Sequence, residues 1–238
     1  GDNSGSAYIF GRDQGGADAW GQVAKLTASD GAGGDSFGRA VSISGNTVVV
    51  GAWADDDHGD NSGSAYIFGR DQGGADAWGQ VAKLTASDGA GGDSFGRAVS
   101  ISGNTVVVGA WADDDHGDNS GSAYIFGRDQ GGADAWGQVA KLTASDGASD
   151  DSFGSSVSIS GDTVVVGAYL DDANGQDSGS VYIFGRDQGS AGAWGQAAKQ
   201  PAPLALTARG DRFGVSVAAD GDTVVVGAIE DEENGYSS

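Results

Sequence analysis

The side chains best suited to chemistry are carboxylates, and they recur in phase along the chain. Asp55, Asp56, Asp57 and Asp60 crowd one stretch, Asp113, Asp114, Asp115 and Asp118 a second, and Asp171, Asp172 and Asp177 a third. The equivalent stretch near the C-terminus holds Glu230, Asp231, Glu232 and Glu233. Carboxylates mixed with glycine and backbone carbonyls in a loop make the hard-oxygen environment that calcium prefers. The candidate metal ligands are therefore Asp55, Asp57, Asp60, Asp113, Asp115, Asp118, Asp171, Asp172 and Asp177, with calcium the expected cation. That reading predicts saturable stabilisation by calcium at Asp55–Asp60 or its copy Asp113–Asp118. The spacing is not that of an EF-hand, and the competing reading is a solvated, self-repelling acidic surface.

Aromatic rings stand next to these acids. Trp53 and Trp111, with Tyr169 at the same phase, open the acidic stretches. Ring stacking plus a few polar contacts is how many sugar sites are built, so these three are the candidate ligand-binding residues, with plain packing as the alternative. His58 and His116 occupy one phased position that becomes Asn174 and Asn234 elsewhere, which does not suit a catalytic base. No Ser–His–Asp arrangement is visible, and the chain is expected not to be an enzyme. It has no cysteine, which excludes disulfides, thiol chemistry and cysteine-bound zinc.

The elements that position these residues repeat. Residues 1–58 recur without a change at 59–116; a third copy, 117–174, drifts after Ala148, and a fourth, 175–234, diverges most. Each copy holds four β-type runs divided by turn residues: AVSIS (strand a), TVVVGA (b), SAYIFG (c) and WGQVAKLT (d). Val41 and Ile43 alternate with Ser42 and Ser44, the pattern of a half-buried strand. The valine run is continuous, as in a strand covered on both faces, and Gly45-Asn46 suits a tight hairpin between a and b. Trp20, Trp78, Trp136 and Trp194 open strand d once per copy and are expected to pack between repeats.

Four strands per repeat describe a β-propeller blade. The expected fold is all-β: a single domain over 1–238, with four blades of four antiparallel strands and about 58 residues per repeat. The chain runs cd, abcd, abcd, abcd, ab, so residues near Val224–Ala228 are expected to pair with those near Ser6–Phe10 and close the ring. A fragment of a longer array, or two chains sharing an eight-bladed ring, are the alternatives. Antiparallel order puts the b–c loops and the d–a connections, with Asp30 and Asp35, on one face.

Every repeat carries Phe-Gly before strand a (Phe37-Gly38, Phe95-Gly96, Phe153-Gly154, Phe213-Gly214) and Val-Gly-Ala at the end of strand b. With the SGSAYIF strand, these motifs resemble the FG-GAP repeats of integrin α-subunit propellers and of bacterial surface proteins. The resemblance covers almost the whole chain. It implies a propeller, an extracellular or cell-surface setting and a role in adhesion or protein binding. It would also imply calcium loops between strands a and b, but that connection here is a two-residue turn, too short to wrap a cation of six to eight oxygens. Arg209-Gly210-Asp211 spells the tripeptide read by animal integrins, at a phase where other copies hold GGDSFG, so drift explains it.

Charge bounds the partners. With 34 acidic against 12 basic residues the net charge is −22, which disfavours nucleic acid. No apolar run is long enough to span a membrane. No secretory signal or starting methionine is visible, so residue 1 is expected to follow processing or truncation. The leading expectation is a non-catalytic binding or adhesion module using the acidic loop face for a protein or glycan partner. The alternatives are a structural protein that assembles as a homo-oligomer, filament or matrix through identical repeats, and a multivalent lectin.

Overall fold

A computed structural model gives the fold and describes residues 2–188, 190–203 and 210–230. All regular elements among them are strands. β1 (Ala7–Arg12) and β2 (Trp20–Leu26) form a two-stranded sheet. The first four-stranded blade is β3 (Val41–Ser44), β4 (Thr47–Ala52), β5 (Ser64–Gly69) and β6 (Gly79–Leu84). The second is β7 (Ala98–Ser102), β8 (Thr105–Ala110), β9 (Ser122–Gly127) and β10 (Gly137–Leu142). The third is β11 (Phe153–Ser160), β12 (Thr163–Ala168), β13 (Ser180–Arg186) and β14 (Trp194–Pro201). A two-stranded sheet of β15 (Ser216–Asp220) and β16 (Thr223–Gly227) follows. Within each blade the strands are antiparallel and follow chain order.

Turn chemistry sets the register. Ser44 pairs with Thr47 across Gly45-Asn46, and Gly45 takes φ +56°, a conformation that costs glycine nothing. The continuous valines of strand b serve two interfaces at once. Val48 and Val50 pack with Leu26 and Phe37 on the side of the preceding half-blade, while Val49 joins Val106 and Val108 on the side of the following blade. Alternation of side chains across a strand therefore puts hydrophobic core on both faces of the first two full blades. Trp136 is buried in the core between the first two full blades, and Trp78 and Trp194 pack against the neighbouring cores, as expected of interblade residues, but Trp20, expected to do the same, is 70% exposed on the first half-blade.

Serine stitches the blades together. The hydroxyl of Ser42 accepts the Ile101 N–H (3.2 Å) and that of Ser44 accepts the Gly103 N–H (3.0 Å). Ser100 and Ser102 do the same for Ile159 and Gly161, and Ser158 and Ser160 for Ala219 and Gly221. The polar half of each strand-a alternation thus bonds to the next repeat's strand a instead of to water.

Ring closure is the expectation that the structure does not reproduce. Among the described residues β1 pairs with β2 alone and β16 with β15 alone. Each half-blade is held by its own hairpin, and β1–β2 also packs on the adjacent full blade, leaving both outer edges free. Identical sequence then meets different surroundings: Tyr8 is 49% exposed, whereas its copy Tyr66 is fully buried beneath strand b. Val225, on the other edge, is 65% exposed.

Candidate functional site

The loop face is organised by a lysine in strand d. Lys83, on β6, places its ammonium 2.7 Å from Asp30, 3.2 Å from Asp55 and 2.5 Å from Asp57. Tyr66, on β5, donates its hydroxyl to Asp55 (2.9 Å) and lies 3.0 Å from Asp30. The Ser64 hydroxyl adds a hydrogen bond of 3.0 Å to Asp55, which is only 4% exposed. The second blade repeats the cluster with Lys141, Asp88, Asp113, Asp115 and Tyr124. The third keeps Lys199, Asp146, Asp171 and Tyr182, with Ala173 where the others have a third carboxylate. Lys25, in the first half-blade, lies over the Tyr8 ring, 5.7 Å from its centre.

Burial and pairing oppose each other in these clusters. Burial alone would raise the pKa of Asp30, but hydrogen bonds from Lys83 and Tyr66 outweigh it and hold the carboxyl below its usual value; Asp88 and Asp146 behave alike. Burial would likewise lower Lys83, but its bonds to Asp30 and Asp57 raise it well above an ordinary lysine, and Lys141 and Lys199 are raised in the same way. Burial itself raises Tyr66, Tyr124 and Tyr182, with the neighbouring aspartates adding to it. The result is a fixed, charged network with its proton inventory locked near neutral pH.

Several of the carboxylates expected to ligate calcium are engaged within the protein. An ion needs six to eight free oxygens around one point. Both Asp55 oxygens are already engaged, Oδ1 by Ser64 and the Asp57 N–H (3.3 Å) and Oδ2 by Tyr66, while the Lys83 ammonium stands where a cation would. Asp60 and Asp118 enter the structure through backbone carbonyls that accept Gly92 and Asp150 N–H groups, not through the cluster. Asp172 accepts the Asp177 N–H at 2.7 Å and so braces a turn. Among the described residues no group of three or more carboxylate, histidine or cysteine side chains is placed to hold a metal ion. Asp231, Glu232 and Glu233 lie outside the described residues.

Asp35, Asp93 and Asp151, in the d–a connections, are buried caps. Each accepts a backbone N–H three residues upstream, from Ala32, Ala90 and Ala148. Burial raises Asp93 and Asp151, only partly offset by those bonds.

Sequence reasoning missed a second constellation. The residue after each Phe-Gly (Arg39, Arg97, Ser155, Val215) meets Trp111, Tyr169 and Arg212 around one cavity of about 400 Å³. Residues of four successive repeats line it. The Arg97 guanidinium lies 5.9 Å from the Trp53 ring centre and 5.5 Å from that of Trp111, so two of the three candidate aromatic residues hold one arginine. The phase of the arginines after Phe-Gly was visible in the sequence; their convergence was not. Of the Arg209-Gly210-Asp211 tripeptide, Arg209 lies outside the described residues and Asp211 is fully buried.

The Phe-Gly phenylalanines have a structural role. Phe37 packs edge-on against Tyr66 (5.5 Å) and Phe68 (6.0 Å), and Phe95 and Phe153 repeat the arrangement. No curated protein matches the chain significantly. The sequence profile of the FG-GAP repeat matches residues 20–68, 78–126, 136–184 and 205–238. These spans take in every Phe-Gly pair and the clustered carboxylates Asp30, Asp55, Asp88, Asp113, Asp146 and Asp171, with Lys83 and Lys141 inside them and Lys199 between two of them, and the chain belongs to the FG-GAP repeat family.

Proposed function

We propose that the chain is a non-catalytic binding module, displayed outside the cell or on its surface, that offers its b–c and d–a loop face to a protein or glycan partner and does so without calcium. The observation that carries this reading is the lysine-centred cluster, built three times around a shared pair of carboxylates and a tyrosine, with a third carboxylate in the first two. An internal ammonium supplies the counter-charge that braces the acidic loops, so the face is rigid before any partner arrives, which lowers the ordering cost of binding. Repetition of one weak site at fixed spacing gains avidity more readily than it builds a unique active site. Surface plasmon resonance of the full chain against immobilised glycans and matrix proteins, in chelator and then in millimolar calcium, tests it. Binding that is equal in both supports the reading, and binding that requires calcium refutes its calcium-free part.

A second reading, assembly through repeats, has its own support in the open edges. Mapping the β4–β5 register onto the half-blades pairs Val224 with Phe10 and Val226 with Tyr8, which would complete a blade within one chain or between copies. Sedimentation distinguishes them: large particles without ligand favour assembly.

A further inference from the structure

We propose that the cavity between Arg39, Arg97, Trp111, Tyr169 and Arg212 binds a single carboxylate-bearing sugar unit of the uronic acid class. This rests on the reading of the chain as a binding module and names the ligand of its centre. The charge distribution is the first ground. In a chain of net charge −22, Arg12, Arg70, Arg128, Arg186 and Arg212 each pair with a carboxylate, but Arg39 and Arg97 pair with none among the described residues. Acids are abundant, yet none lines this cavity.

The second ground is preorganisation. Arg97 sits against the rings of Trp53 and Trp111, and stacking restrains a guanidinium while leaving the N–H groups in its plane free to grip a carboxylate with two parallel bonds. The third is a set of donors without acceptors: Trp111 Nε1 and Arg212 Nε are both buried and unpartnered. A buried donor left unpaired is costly, and these two belong to residues that line the same cavity. Unpaired donors and unpaired positive charge together call for an anionic, acceptor-rich ligand.

Shape and surroundings narrow the class. A cavity of about 400 Å³ falls in the range of small-molecule sites, and the Tyr169 and Ser155 hydroxyls can meet sugar hydroxyls at its wall. The acidic face around it repels a long polyanion, so a single charged unit is accepted where a densely sulfated chain is not.

Isothermal titration calorimetry of the full chain with glucuronate and with uncharged glucose tests the assignment, at low salt and at about 0.5 M sodium chloride. Saturable 1:1 binding of glucuronate, at least tenfold tighter than glucose, is expected. Arg97→Gln and Arg39→Gln should each weaken it at least tenfold, and Arg70→Gln, whose guanidinium is already paired with Asp76, should not. Arg39 is exposed and takes part in no core cluster, so its variant keeps the test valid if Arg97→Gln fails to fold. Absence of glucuronate binding, equal binding of glucose, or indifference to both cavity variants overturns the proposal. Binding of an acidic tetrapeptide in place of glucuronate also overturns it. If glucuronate fails while a partner still binds the loop face, the site falls and the module reading stands.

Discussion

Gly51 and Gly96 meet backbone to backbone: a Cβ on Gly51 would lie 1.8 Å from the Gly96 carbonyl oxygen. Gly109 and Gly154 repeat the contact at 1.9 Å, and Gly167 and Gly214 at 2.0 Å. The glycine of Val-Gly-Ala in one repeat therefore exists to admit the glycine of Phe-Gly in the next. The two motifs are halves of one joint.

Gly51→Val should destabilise the chain by about 3 kcal/mol, because the obstacle is backbone that cannot rotate away. Gly45→Ala offers the contrast. Nothing lies within 4 Å of its Cβ, so only the positive φ opposes it, at about 1 kcal/mol. Urea unfolding of both variants checks the ranking, and equal losses would contradict it.

The serine links make a smaller prediction. Ser100→Ala removes the acceptor of the Ile159 N–H and should cost about 1 kcal/mol, with proteolysis between the second and third blades rising in parallel. No change in either quantity would make the link incidental.

Lys83→Gln should cost about 2 kcal/mol. It strands the buried Asp55 carboxylate without its ammonium, a loss softened by the partial exposure of Asp30 and Asp57. The double variant Lys83→Gln, Asp55→Asn should recover part of that loss, as a double-mutant cycle in thermal unfolding would reveal.

Stability should fall at both ends of the pH scale. Asp30, Asp88 and Asp146 are lowered in the fold, so their contribution is complete above about 3.9 and vanishes as pH drops through their folded values. Asp93 and Asp151, raised by burial, act in the opposite sense and cost stability as pH rises from about 3.9 through their folded values. Lys83, Lys141 and Lys199 are raised, so their contribution is complete below about 10.4 and is lost as pH climbs beyond it; Tyr66, Tyr124 and Tyr182, raised mainly by burial, add to the same loss above about 10. Replacing the three lysines by glutamine should flatten the alkaline limb of melting temperature against pH, and an unchanged limb would contradict the assignment.

Local chemistry made much of this fold legible. Strands Thr47–Ala52 and Ser64–Gly69 fall where the valine run and the turn residues place them, and Gly45-Asn46 sets their hairpin. Strand d begins at Gly79 in the first blade, one residue after the expected Trp78. The site was less legible because its partners are remote in sequence. Lys83 meets Asp55 across 28 residues and Asp30 across 53, so the carboxylate pattern alone does not reveal the lysine among them. The once-per-repeat recurrence of Lys25, Lys83, Lys141 and Lys199 was the available signal. Ser42 and Ser44 read as solvent-facing because their acceptor role needs the next blade in place. Tyr8 and Tyr66 share an identical sequence context, and only the missing neighbour of β1 separates their fates.

Calorimetric melting in about 0.5 M sodium chloride, where screening by salt is already saturated, tests whether the strand lysine is the resident cation of these loops. Calcium from micromolar to about 10 mM should leave the melting temperature of the unaltered chain where it is. A saturable rise that follows the logarithm of one plus calcium over its dissociation constant, and that disappears in Asp55→Asn, Asp113→Asn, would contradict the claim and return the loops to calcium.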